Sequence, residues 1–239
     1  MPRTRGSHPV VVALHGYIAP PDYRNGAGLR REEERLVSQG FVVLHPDYRN
    51  FGDSQRQLGP AVRSPLGYPA DVLNAVAALR RAKIPGVDLS RMGLLGRSMG
   101  GGVAMQVAVA RPSWFRALVL YSPVSSDAAN NYENWVSGDL SLRRRVDAAY
   151  GTPASNPTFW HDASVVNYLD RLTMPVQIHH GTADAVCPEA WSVATAGAMR
   201  AAGVDVRLDA YAGQPHRFTD RGWPRFMARV DAFLKDRVA

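Results

Sequence analysis

Cysteine is almost absent from this chain of 239 residues: Cys187 is the only one, which excludes an intrachain disulfide and a thiolate metal cluster. Lysine is nearly as scarce, with Lys83 and Lys235 alone, so the formal charge of +7 rests almost wholly on arginine. No apolar run approaches the roughly 18 residues of a membrane-spanning helix, and no membrane partner is expected. The opening Met-Pro-Arg-Thr-Arg-Gly-Ser-His holds no apolar core of a signal peptide, which sets a cytoplasmic expectation. Nor does the chain hold an internal repeat, a low-complexity tract or a His-Glu-x-x-His spacing, so neither a metal nor a cofactor is expected. An excess of basic residues is one mark of a nucleic-acid binder. Here they are scattered, in short clusters such as Arg143-Arg144-Arg145 and Arg30-Arg31, as on a solvated surface, and no nucleic-acid partner is expected.

What the chain does hold is a regular alternation. Apolar runs recur at residues 10–14, 41–44, 92–95, 117–121, 175–179 and 204–208. Most lack a period of two, which suits strands covered on both faces of a parallel sheet. Helical patterns fill the gaps at 30–39, 69–82, 102–110, 189–202 and 223–235, several of them ending at a glycine or just before a proline. The alternation predicts a single α/β domain over residues 1–239, a doubly wound, mainly parallel sheet of about six strands. Residues 125–169 break the rhythm. With no convincing strand there, the segment is expected to form a helical cap that shapes a substrate pocket, the competing reading being helices that cover core at a distance from any site.

Chemistry concentrates first at Gly96-Arg97-Ser98-Met99-Gly100. Glycine-x-serine-x-glycine spacing alone is weak in a chain with 21 glycines. Between an apolar strand and an Ala/Val-rich helix it becomes a sharp turn that raises the Ser98 hydroxyl clear of the backbone. A serine hydroxyl is a weak nucleophile until a base accepts its proton, and the base needs an orienting carboxylate. This chain offers one natural candidate for each later role. Asp184, in the loop after the 175–179 run, is the carboxylate candidate, with Asp205 and Asp209 weaker because they lie in or at the end of the next strand pattern. His216, between the last strand and the last helix, is the base candidate. His15, His45, His179 and His180 sit at strand ends, where structural roles are common; His8 is terminal and His161 falls in the insertion. A tetrahedral oxyanion needs backbone donors. The Met99 amide is one candidate and the Tyr17 amide, after the turn at Gly16, is the other. The Tyr17 ring is read as a pocket wall or as simple packing, residues 47–54 mainly as a brace for loops around the site, and Cys187 as a small packing residue.

Taken together, His15-Gly16, Asp47-Tyr48-Arg49-Asn50-Phe51-Gly52-Asp53-Ser54, Gly96-Arg97-Ser98-Met99-Gly100-Gly101, His180-Gly181-Thr182-Ala183-Asp184 and the late His216 resemble the α/β-hydrolase superfamily. Within it the chain is similar to the prolyl oligopeptidase-type catalytic domain and to esterase and dienelactone-hydrolase-like relatives, over nearly its whole length. The resemblance implies a serine hydrolase with Ser98, Asp184 and His216 as its triad. Its expected partner is a small ester, or a short peptide or amide in the alternative reading. Two departures qualify it. The chain starts at what would be the superfamily's third strand and no propeller domain is expected with it, so small esters are expected over peptides. Dienelactone hydrolases use a cysteine where this chain has Ser98, so that chemistry is not expected.

Overall fold

The computed structural model describes residues 1–2, 6–56 and 65–239. Its centre is one six-stranded sheet in the order β2-β1-β3-β4-β5-β6, with every neighbouring pair parallel. The strands are β1 (His8–Leu14), β2 (Val42–Leu44), β3 (Val87–Arg97), β4 (Ala117–Tyr121), β5 (Val176–Gly181) and β6 (Val206–Tyr211). The expected doubly wound α/β sheet of about six strands is therefore what forms, and it is wholly parallel rather than mainly so.

Side chains alternate across a strand, so the apolar runs of β1 to β4 divide between two cores. Val10, Val12 and Leu14 of β1 pack with Leu94, Leu118, Leu120 and Ile178 on one face. That face is covered by α2 (Tyr68–Ala82), α3 (Met99–Ala110) and α7 (Glu189–Ala201), which contribute Val72, Val103 and Met199. Val11 and Ala13 face the other way, with Leu95, Val119 and Tyr121. There α1 (Arg30–Ser38) and α8 (Trp223–Arg237) supply Leu36, Phe226, Val230 and Leu234. Double coverage explains why most of the runs lack a polar alternate position.

The path of the chain creates the site's location. It steps outward from β1 to β2, then returns past β1 to β3 and continues the opposite way to β6. Direction therefore reverses between β1 and β3, and the crevice beyond the C-terminal ends of those two strands is where such sheets place their ligands. His15-Gly16-Tyr17 leaves one of these ends and Ser98 the other.

Residues 125–169 hold no strand. They form α4 (Ala128–Trp135), α5 (Leu140–Tyr150), α6 (Pro157–Ala163) and a 3-10 turn that begins at Val165. Each helix starts at a side chain that accepts from a free amide: Asp127 from Ala129, Asp139 from Ser141 and Leu142, Asn156 from Phe159. Tyr132, Val146 and Trp160 meet as a small core of their own, separate from the two that line the sheet. A contact between Trp135 and Trp191, ring centroids 5.4 Å apart, joins α4 to α7.

Candidate active site

Ser98 sits between β3 and α3 with φ 57° and ψ −123°, a left-handed backbone that costs a non-glycine residue about 1–3 kcal/mol. Its surroundings enforce the strain. The Ser98 amide donates to the Tyr121 carbonyl (3.0 Å), and the Ser98 carbonyl accepts from Gly101 (2.8 Å) and Val124 (3.2 Å). Two glycines permit the turn. A Cβ on Gly96 would lie 2.2 Å from the Gly100 oxygen, and one on Gly100 would lie 2.1 Å from the Leu14 oxygen. The helix start is thus pressed directly onto the end of β1. Gly100→Ala is expected to lower stability by about 1–3 kcal/mol, because the atom it meets belongs to backbone that cannot swing aside. Gly197→Ala on α7, where nothing lies within 4 Å, should instead raise stability by about 0.5–1 kcal/mol. Urea midpoints of the two variants check the contrast.

The loop after β1 reaches the same point. A Cβ on Gly16 would stand 3.0 Å from the Ser98 Cβ and 3.6 Å from its hydroxyl, so the Gly16–Tyr17 peptide lies against the serine. His15 fixes that peptide. Its ring is fully buried between Tyr48 and Tyr23, at centroid distances of 4.4 and 4.7 Å, and its Nδ1 donates to the Gly16 carbonyl at 2.8 Å. Burial pushes the His15 ring down to about 4, despite the bond to Gly16, so it is neutral at neutral pH. In a trans peptide the carbonyl and the following amide point opposite ways; holding the Gly16 oxygen therefore directs the Tyr17 N–H. Tyr17 is 60% exposed as a residue, and its ring meets Phe51 edge-on.

Residues 47–54 brace this loop, as the sequence suggested. Asp47 accepts from the Tyr23 hydroxyl and from the Gly26 amide, and Arg49 grips Asp71 on α2 with two nitrogens. Asn25 reaches across to Asp53 at 2.9 Å.

The carboxylate and the imidazole meet on the far side of the serine. Asp184 follows β5, its side chain fully buried, and its Oδ2 accepts from His216 Nδ1 at 2.7 Å. Donation through Nδ1 leaves Nε2 of His216 as the basic nitrogen. The same Oδ2 lies 3.1 Å from His180 Nε2, and Oδ1 accepts from the amides of Val186 (2.8 Å) and Cys187 (2.9 Å). Burial would raise the Asp184 carboxyl, but the bonds from His180, His216 and the two amides outweigh it and hold it well below the usual carboxylate range. Gly181 lets the two loops touch. A Cβ there would lie 2.1 Å from the Gln214 oxygen, two residues before His216.

No hydrogen bond joins the Ser98 hydroxyl to His216 among the described residues. The Cys187 thiol is buried beside Ser98 and Asp184. Burial and the Asp184 charge push it up to about 12, against the stabilising Ser98 hydroxyl, so it stays protonated. Sequence reading therefore named the carboxylate and the imidazole that meet, and the loops that flank Ser98. It placed His180 among strand-end histidines and missed that this ring shares the Asp184 carboxylate. The four-residue spacing between the two was the only hint.

Among the described residues no three His, Cys, Asp or Glu side chains are grouped to hold a metal, and no helix is long and apolar enough to cross a membrane. His179, a core residue of β5, is likewise neutral. Burial and the nearby Arg229 and Arg207 push it down to about 3, although Asp209 lies 3.8 Å away.

The sheet order and the strained serine turn between its third strand and the following helix define an α/β-hydrolase. The chain belongs to the prolyl oligopeptidase family, whose model matches residues 28–239. It is 24% identical over 227 residues to the uncharacterized peptidase YuxL of Bacillus subtilis, covering 92% of this chain and 32% of that protein. Among solved structures it is similar to a puromycin-hydrolyzing peptidase of Mycobacterium tuberculosis, with a TM-score of 0.79 and 23% identity over 99% of this chain and 35% of the other. It is also similar to Est1E of Butyrivibrio proteoclasticus, solved with ferulic acid bound. There the TM-score is 0.72 at 19% identity, over 100% of this chain and 93% of Est1E. The chain thus spans about a third of the length of the two peptidases and nearly all of Est1E.

Proposed function

We propose that this protein is a serine hydrolase that cleaves small carboxylic esters through an acyl-enzyme on Ser98. The observation that carries the reading is the Asp184–His216 hydrogen bond of 2.7 Å at a sheet end that also presents a strained serine. Ser98 Oγ attacks the acyl carbon while its proton passes to His216 Nε2, and Asp184 stabilises the imidazolium so formed. The amides of Tyr17 and Met99 receive the developing oxyanion, Met99 being the first residue of α3 and so at the positive end of its dipole. Collapse expels the alcohol, which takes the proton from His216. Water, deprotonated by His216, then attacks the acyl-enzyme and releases the acid and free Ser98.

Est1E, similar over almost its full length, supports the ester reading. Membership of the prolyl oligopeptidase family and the likeness to a puromycin-hydrolyzing peptidase support the second reading, cleavage of small peptides or amides by the same residues. Matched pairs of nitrophenyl esters and nitroanilides, varied in acyl length, separate them. Turnover of the esters, with anilides slower by orders of magnitude, is expected; activity confined to anilides would reverse the order.

A further inference from the structure

We infer that His180 is a positioning residue for the triad, holding the Asp184 carboxylate in the orientation that His216 requires; this rests on the hydrolase reading above. His180 is the fifth residue of β5 and is fully buried, without direct access to substrate. All its polar atoms are engaged. Nε2 faces two acceptors, the Cys187 carbonyl at 2.9 Å and Asp184 Oδ2 at 3.1 Å, so this nitrogen carries a proton. Nδ1 lies 2.7 Å from the hydroxyl of Ser192 on α7, which donates to it when the ring is neutral. The two acceptors at Nε2 thus set which nitrogen is protonated, the Ser192 hydroxyl completes the match at Nδ1, and the protonated nitrogen points at the triad.

The consequence for Asp184 follows from counting donors. Oδ1 takes two backbone amides and Oδ2 takes His216, while the single Nε2 proton of His180, shared with the Cys187 carbonyl, faces Oδ2 at 3.1 Å; together these N–H groups fix one carboxylate against rotation. Remove the His180 donor and Oδ2 keeps His216 alone. The carboxylate then gains a free lone pair in a dry pocket and becomes a stronger acceptor. A stronger acceptor stabilises the His216 imidazolium further, which leaves less unprotonated base at a given pH. His180 also bonds the backbone of Cys187, whose thiol lies beside Ser98, so one ring ties together the loop behind the carboxylate and a wall of the nucleophile's pocket. The titratable side chains facing this carboxylate are His180 from β5, His216 from the β6–α8 loop and Cys187 before α7.

The test compares His180→Leu, which removes the donor, with His180→Gln, whose amide nitrogen can reach the same place, and with Ser192→Ala. Each is assayed with wild type for kcat, KM and kcat/KM against pH on a short acyl ester. Folding is followed by circular dichroism and the fraction of competent sites by fluorophosphonate labelling. One lost hydrogen bond to a charged group corresponds to about 10- to 100-fold in rate. His180→Leu is expected to lose kcat by that factor with KM little changed, and to move the acid limb of kcat/KM to higher pH. His180→Gln should recover most of the rate and the wild-type limb. Ser192→Ala, a milder change should His180→Leu fail to fold, should shift the limb the same way with a smaller loss. A folded His180→Leu with wild-type kcat and acid limb overturns the proposal. So does a Ser192→Ala with an unmoved limb, or a Gln variant as damaged as Leu without a shift. A wild-type chain that neither turns over esters nor takes the label is distinguishable from these outcomes. It would contradict the hydrolase reading and the role of His180 with it.

Discussion

Ser98→Ala is expected to lower kcat/KM on a short acyl ester by about 10⁴-fold or more, with fold and melting temperature retained. The size of the effect comes from what the alanine removes. It keeps a Cβ and the same strained backbone, held by Tyr121, Gly101 and Val124, so the turn has no reason to rearrange. It deletes the one atom that, in the proposed mechanism, forms the acyl bond. Some acceleration over water should persist, because the Tyr17 and Met99 amides still stabilise a tetrahedral oxyanion formed by direct water attack. A residual rate is therefore compatible with the mechanism, but an undiminished one is not. Stopped assays on wild type and variant prepared side by side measure the ratio.

Asp184→Asn should cost about 10³–10⁴-fold in kcat, through the tautomer of His216 rather than through loss of binding. Four N–H groups converge on this carboxylate, two on each oxygen. An amide offers one acceptor end and one donor end, so either orientation sets a donor against donors. If the amide oxygen takes the Val186 and Cys187 amides, its NH2 faces His216. The ring then accepts through Nδ1 and carries its proton on Nε2, where the base is needed. If the amide turns over, two buried backbone amides lose their acceptor, and stability falls as well. Values of kcat and KM measured separately check this: kcat should collapse while KM stays within a few-fold. Wild type should not lose activity through Asp184 itself on moderate acidification, since four hydrogen bonds hold its carboxyl well below the usual range.

Most of this site was legible because its parts are local and ordered along the chain. Ser98 lies between a strand and a helix, Asp184 just after β5 and His216 after β6, and a sheet wound in this order brings those ends together. Less legible were features set by contacts between distant segments. The strand expected at 92–95 runs from Val87 to Arg97, because Val87 and Asp88 pair with His8 and Pro9 before a register break at Pro9/Val10, and no apolar run announces that pairing. Helix α3 starts at Met99 rather than at Gly102. Three successive glycines are poor helix formers, but here they admit Leu14 and Pro123, which a side chain would push away. His180 was hidden for the same reason. Its importance depends on β5 and α7 lying side by side, so that Ser192, twelve residues on, can reach its ring.

Ester cleavage by this route requires a covalent acyl-enzyme on Ser98, and mass spectrometry can locate the adduct. Wild-type protein treated with a fluorophosphonate, digested and mapped by mass spectrometry should carry one phosphonyl group on the peptide containing Ser98. Prior incubation with a slowly hydrolysed ester should reduce the label, and the Ser98→Ala protein should take none. Stoichiometric label on another residue, or equal label in the alanine variant, would exclude Ser98 as the nucleophile.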